Sequence, residues 1–374
     1  MLSSKLPLPA WIADPESLEG LSGELGRHSR LAVDTESNSL HAYREQVCLI
    51  QFSTSRMDYL VDPLTLDNLT PLAPIFADPN IEKVFHAAEY DIITLKRDFG
   101  YIFTNIFDTM QAARILGNKQ VGLENILAEK LGVSINKRYQ KADWGRRPLT
   151  PELLNYARMD THHLLALRDL LYTELENAGR WRLAREEFGR LCHVNGSTSN
   201  VCAAWLRVRG AQQLGERELT ILNELCLWRE EKAKRMDRPL FKVIGDRTLV
   251  SIAQAAPQRT NQLAEAGLTN KQIDLYARDI LAAIRHGRQS GLVRRPFSAH
   301  PDEAYLRRLD ALRQWRKIAA SKLGVESDVV MPRAFMETIA EKNPNDMEEL
   351  AEAMPDSPWR LEKYGKRILE LLKK

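Results

Sequence analysis

The sequence predicts an α/β domain with a mixed β-sheet, followed by two small all-α domains. Three observations carry this. Its 374 residues exceed one ordinary domain, so two or three are expected. The first half alternates strand-like and helix-like segments after a run of three strands. The second half reads as helical and repeats itself.

In the first half, Arg30 to Thr35, Val47 to Ser53 and Met57 to Asp62 are rich in β-branched and aromatic residues, and Thr54-Ser55-Arg56 gives a hairpin link between the last two. A helix, a strand at Lys83 to Phe85 and a helix from Tyr90 to Phe99 follow, then a strand over Ile102 to Phe107 and further helices. Thr150-Pro151-Glu152 supplies an N-cap, a first-turn proline and a first-turn acid, and opens one long helix towards Asn177 with Gly179 as its stop.

In the second half Trp228-Arg229 recurs as Trp315-Arg316, an offset of 87. The same offset carries Ile252-Ala253 onto Ile339-Ala340 and Leu263 to Ala266 onto Leu350 to Ala353. Tyr276 and Ile280-Leu281 fall on Tyr364 and Ile368-Leu369 one residue later. Two helical domains of common origin account for this, joined by a linker from Arg288 to Pro301. The expected division is 1–195, 212–290 and 302–374.

Hydrophobic residues make up 44% and charged residues 28%, which fits a globular protein with cores and excludes a disordered chain. The net charge of +3 permits nucleic acid without demanding it, but basic residues bunch at Lys137 to Lys141, Arg146-Arg147, Lys232 to Arg238 and Arg294-Arg295. Cys48, Cys192, Cys202 and Cys226 show no metal-ligand spacing and suit a reduced, intracellular protein. With neither a signal-like N-terminus nor a membrane-length apolar run, the expected location is the cytoplasm.

Four carboxylates stand out as candidate ligands. Asp34 and Glu36 alternate along a strand, so both face one side while Val33 and Thr35 face the other. Paired carboxylates suit a hard divalent cation, although ordinary strand polarity gives the same pattern. Tyr156 and Asp160 stand one turn apart on the long helix, stacking phenol and carboxylate. Asp91 follows a short strand near a helix start, where the helix dipole alone would favour an acid. Glu89 is its nearest rival, and Asp108 is read as a helix cap. His162 and His163 are read as surface residues of the helix.

Asp34-x-Glu36, Asp91 and Tyr156-x-x-x-Asp160, taken in order, resemble the exonuclease motifs of the tyrosine-bearing branch of the DEDD superfamily. Val33 to Glu36, Val84-Phe85-His86, Phe107-Asp108-Thr109 and Asp143-Trp144 through Arg147-Pro148-Leu149 to Tyr156-Ala157 are similar to the ribonuclease D family. The helical repeats resemble HRDC domains, the first more closely than the second. This resemblance implies an RNase H-like fold and a 3′–5′ exoribonuclease that releases 5′-mononucleotides. It also implies two divalent ions (Mg²⁺ or Mn²⁺) held by Asp34, Glu36, Asp91 and Asp160, with Tyr156 positioning the attacking water. The implied partner is RNA, with precursor tRNA 3′ ends as the expected substrate; neither a membrane nor an obligate protein partner is expected.

His86 to Asp91 also has the spacing of the histidine-bearing branch. That alternative needs a second carboxylate among Asp58, Asp62, Asp67 and Asp78 and leaves Tyr156 and Asp160 unused, so His86 is taken as a neighbour of the site. For substrate contact the candidates are His86, Lys137, Arg138, Lys141, Arg146 and Arg147, with Tyr139 and Trp144 as stacking platforms. An exonuclease acting on DNA and an inactive nucleic-acid-binding module are the rival functions.

Overall fold

The computed structural model describes residues 7–135, 137–196, 204–295 and 302–373. Six strands form one sheet: β1 (Ala10–Ile12), β2 (Arg30–Ser37), β3 (Val47–Ser53), β4 (Asp58–Val61), β5 (Glu82–Phe85) and β6 (Ile106–Asp108), in the order β1-β4-β3-β2-β5-β6. β2, β3 and β4 pair antiparallel, while β1, β5 and β6 join parallel, so the sheet is mixed as expected.

Helices cover both faces. Val33 and Phe52 face a core shared with Leu18, Leu21 and Leu25 of α1 (Pro15–Leu25), Phe76 of α2 (Ala73–Ala77), and Ile92 and Leu95 of α3 (Glu89–Phe99). On the other face Ala32, Val84 and Phe107 meet helices α4 (Thr109–Leu116), α5 (Leu123–Leu131), α7 (Leu164–Asn177) and α8 (Trp181–Leu191). Beside them α6 (Pro151–His162) brings Ala157 onto Leu49 and Leu60. β3 is buried at every position because both its faces are covered.

The expected single helix from Pro151 to Asn177 is two. α6 ends at His162, whose Nδ1 lies 2.9 Å from Asp58 on β4, and α7 starts at Leu164. No proline or glycine marks this break; a tertiary contact overrides the local preference. The strand expected over Ile102 to Phe107 is only Ile106–Asp108. Asn105 takes a positive φ of 49°, and Tyr101 and Phe103 turn inward onto Phe76. β1, a short parallel strand beside β4, lies outside the expected elements.

The chain divides into two compact units, Met1–Ser37, Val47–Gly196 and His300–Lys374 in one, and Asn38–Gln46 with Ser197–Ala299 in the other. The second unit holds the first repeat: α9 (Glu216–Met236), α10 (Leu240–Val243), α11 (Asp246–Ala255), α12 (Gln262–Glu265) and α13 (Asn270–Gln289). The segment 38–46 belongs to it, with the Tyr43 hydroxyl 2.5 Å from Glu230.

The second repeat comprises α14 (Glu303–Leu323), α15 (Ser327–Val330), α16 (Arg333–Lys342), α17 (Met347–Ala353) and α18 (Pro358–Leu372). The repeats share contacts as well as letters. Trp228 meets Tyr276 edge-on at 5.5 Å, and Trp315 meets Tyr364 likewise at 5.3 Å. Arg229 donates to the Ile244 carbonyl and Arg316 to that of Met331, both at 3.0 Å. The linker expected from Arg288 begins later, since α13 runs to Gln289; its residues 296–301, like Cys202, lie outside the described residues.

Within its unit the second repeat is tied to the α/β domain. The guanidinium of Arg360, at the start of α18, lies fully buried 2.6 Å from Glu186 and 2.7 Å from Glu187 of α8. Glu186 also accepts from the backbone N–H groups of Trp359 and Arg360. Gly117, with φ of 93°, comes so close to the Gly324 carbonyl that a Cβ would collide with it. Among the described residues no helix is long and apolar enough to cross a membrane.

Candidate active site

β2 and α6 build most of the site. Asp34 and Glu36 share the face of β2 towards α6, opposite Gln51 and Leu49 of β3. α6 is set by its N-terminus, where Thr150 caps the Leu153 N–H and Pro151 occupies the first turn. One turn apart along it, Tyr156 and Asp160 reach the same pocket as Asp34 and Glu36. This pocket, about 350 Å³, is also lined by Thr35, His86, Gly122, Leu123, Glu124, Ile135 and Gln140. Among the described residues lining it there is no Lys or Arg.

Asp91 stands behind the pocket wall, 5% exposed, in the first turn of α3. It accepts a hydrogen bond from the Thr35 hydroxyl. Both faces of β2 are therefore in use, and Thr35 is a residue that sequence reasoning missed. Only the strand alternation, which sends Thr35 towards the α3 side, hinted at it. The turn before α3 is clamped by Asp108, which caps α4 through the N–H groups of Met110 and Gln111 and also accepts from those of Ala87 and Ala88. Asp108 is thus the expected cap and also a support for the turn that leads to Asp91.

The electrostatics are those of crowded anions. Burial, followed by the charges of Asp91, Asp160 and Glu36, holds the Asp34 carboxyl well above its ordinary range. Glu36 is raised by burial and then by Asp160 and Asp91. Burial pushes Asp91 up to about 7, against the Thr35 hydrogen bond, and burial with the Asp91 charge does the same for Asp160. The Tyr156 hydroxyl is pushed up by burial and by Asp160, Glu36 and Asp34, so it is protonated at neutral pH. Hard oxygen donors crowded without a basic neighbour fit a divalent cation. Among the described residues, however, no three His, Cys, Asp or Glu side chains are drawn into a compact ligand group.

Burial lowers His86 to about 4, leaving a neutral imidazole in the pocket wall. Its Nδ1 lies 2.9 Å from the Thr109 hydroxyl, which donates its own proton to the Phe85 carbonyl. Nδ1 therefore carries the hydrogen and Nε2 the lone pair. Two of the alternative carboxylates for a histidine-type site are engaged elsewhere: Asp58 with Ser53 and His162, Asp62 with Arg147.

Two expected substrate contacts are corrected. Trp144 is 1% exposed and packs among Cys48, Leu49, Leu60, Leu149 and Ala157, with its ring 6.0 Å from that of Tyr156. It backs the tyrosine and offers no open face to a base. All five N–H donors of Arg147 are taken, by both carboxylate oxygens of Asp62 and by the carbonyls of Cys48, Trp144 and Arg146. The guanidinium is structural because Asp62, 1% exposed, needs a counter-charge.

Arg138, Lys141 and Arg146 are exposed, and Tyr139 is half-buried with its ring 6.0 Å from that of Tyr156. Lys137 begins the same short turn, Lys137–Tyr139.

Residues 9–176 match the family model for 3′–5′ exonuclease domains, and 218–284 and 306–372 each match that of the HRDC domain. Ribonuclease D of Granulibacter bethesdensis is 30% identical, over 98% of this chain and 93% of its own. RRP6-like protein 2 of Arabidopsis thaliana is 36% identical over 68% of this chain, but only 31% of its own length is spanned. The crystal structure of Escherichia coli RNase D, an exoribonuclease involved in structured RNA processing, superposes with a TM-score of 0.70 at 25% identity, covering 98% of each chain. With its exonuclease domain followed by two HRDC domains, this chain belongs to the ribonuclease D family.

Proposed function

We propose that this chain is a 3′–5′ exoribonuclease that releases 5′-mononucleotides and acts on the 3′ ends of precursor tRNA. One observation carries the reading: residues from three separate stretches (Asp34 and Glu36, Tyr156 and Asp160, with Asp91 behind) converge at one anion-rich pocket. In this reading Asp34, Glu36, Asp91 and Asp160 hold two divalent cations, Mg²⁺ or Mn²⁺. When bound, such cations make a water nucleophilic at neutral pH and stabilise charge on the departing 3′ oxygen.

The chain's own groups do the rest. Tyr156 retains its proton, so it orients the attacking water through its hydroxyl and does not serve as the base. Trp144 behind it fixes the ring. The neutral His86 offers Nε2 as an acceptor to a hydroxyl of the terminal nucleotide. Lys137, Arg138, Lys141 and Arg146 meet the phosphates upstream, and Tyr139 stacks on a base. The HRDC domains, taken as 212–290 and 302–374 beside an exonuclease domain of 1–195, add grip on structured RNA. The free thiols of Cys48, Cys192 and Cys226 support a reducing, cytoplasmic setting.

The test is to incubate full-length protein with a 3′-extended precursor tRNA and a matched DNA, with and without Mg²⁺ or Mn²⁺. Metal-dependent release of 5′-mononucleotides from the RNA is expected. Preference for the DNA, internal cleavage, or undiminished activity in a chelator would each refute the reading.

A further inference from the structure

Under the carboxylate pocket lies a buried side chain whose polar atoms meet nothing. Gln51, in the middle of β3, is 0% exposed, and neither its Oε1 nor its Nε2 has a hydrogen-bond partner. Across the sheet it stands directly opposite Asp34 on one side and Leu60 on the other. Paired residues of a sheet share a face, with Cβ atoms roughly 5 Å apart. The Gln51 amide therefore projects on the Asp34 side, beneath the helix that carries Tyr156 and Asp160.

Its neighbours on that face of β3 have no such deficit. Leu49, opposite Glu36, is apolar. Ser53 is within 2.7 Å of both Asp58 and Thr161. A buried amide left unpaired carries its desolvation cost uncompensated, and an apolar side chain of similar shape would remove that cost. The unmet group is thus placed at the one position of β3 that faces Asp34. Ligating carboxylates are themselves held by hydrogen bonds from residues outside the ligand set.

We propose that Gln51 is a positioning residue of the site: its amide N–H donates to the Asp34 carboxylate when that carboxylate turns to a divalent cation, and its Oε1 accepts from water held there. This rests on the reading that Asp34 is a metal ligand. The amide then fixes which Asp34 oxygen is presented and tightens the site without touching substrate.

The test uses the full chain, with Gln51→Leu, Gln51→Met and Asp34→Asn beside wild type. Mn²⁺ binding is followed by calorimetry without RNA, melting temperature in the metal-free protein, and kcat and KM on a single-stranded RNA. Gln51→Leu is expected to weaken Mn²⁺ binding about tenfold. It should lower kcat with little change in KM and leave the metal-free melting temperature equal or higher. Should the branched leucine prevent folding, Gln51→Met carries the same expectations. Wild-type Mn²⁺ affinity and kcat in a folded Gln51 variant would overturn the proposal, as would a fall in metal-free melting temperature with unchanged affinity. Loss of Mn²⁺ binding in Asp34→Asn together with unchanged Gln51 variants would overturn only the role of Gln51. Undiminished Mn²⁺ binding in Asp34→Asn would overturn the site reading beneath it.

Discussion

Burial, joined by the Asp91 charge at Asp160 and by the Asp108 charge at Asp91, pushes these two carboxyls up to about 7, far above the value of 3.8 that an unfolded chain would show. Native protein then binds more protons than unfolded protein between about pH 4 and 7, and its stability falls as pH rises through that window. Metal-free protein is expected to melt lower at pH 8 than at pH 5.5. Asp160→Asn should flatten this fall, and Mn²⁺ should raise the melting temperature more at pH 8. Thermal melts at both pH values, with and without Mn²⁺, check it; a melting temperature that rises from pH 5.5 to 8 in metal-free protein would contradict the linkage. Tyr156→Phe removes only the hydroxyl, and kcat should drop roughly 100-fold with Mn²⁺ affinity unchanged, measured by single-turnover kinetics and calorimetry. That Asp34, Glu36, Tyr156 and Asp160 line one pocket follows from directions legible in the sequence, because carboxylates two apart on a strand, and a phenol and carboxylate one turn apart on a helix, share a face. Thr35 and Gln51 were not legible as members of the site, because a hydroxyl and an amide acquire meaning only from what folds opposite them.

The segment from Lys137 to Thr150 shows how neighbouring residues of one element take different work. In sequence Arg146 and Arg147 are twins. In the fold one is exposed beside Asp143 at 3.4 Å, and the other is consumed by Asp62 and three carbonyls. Arg147→Ala should cost about 3 kcal/mol by stranding a buried carboxylate, whereas Arg146→Ala should leave stability within about 0.5 kcal/mol and weaken RNA binding. Urea melts and binding measured against salt concentration separate the two; equal stabilities would contradict the assignment. Charge counting could not tell them apart, since the distinction lies in Asp62, 85 residues away. Trp144 was misplaced for the same reason: a flanking basic run suggested an exposed ring, and the core of β3, β4 and α6 claimed it. Element types along the first half followed their hydrophobic patterns well. The misses at His163 and Asn105 occurred where a distant contact or a positive φ interrupts a favourable local run.

Across the whole molecule, the repeat in the second half was plain from its constant offset, and the matching Trp–Tyr and Arg–carbonyl contacts share it. What the offset could not reveal is that the second copy completes the unit containing the α/β domain. The Arg360 guanidinium between Glu186 and Glu187 fills a place that no feature of the repeat marks. Arg360→Met should cost about 3–5 kcal/mol by leaving the buried Glu186 carboxylate without its guanidinium counter-charge, and should open the chain after Gly291 to proteolysis. Limited digestion with urea denaturation tests this; wild-type resistance would show that the pair adds little. A Gly117→Ala substitution should loosen the same junction, because the added methyl group meets the Gly324 carbonyl.

That pairing also orders events in time. Glu186 is synthesised 174 residues before Arg360, a delay of roughly 10–35 s at ordinary elongation rates. Throughout it, Glu186 and Glu187 of α8 lack the guanidinium that pairs with them in the finished chain. Only the synthesis of α18 supplies it.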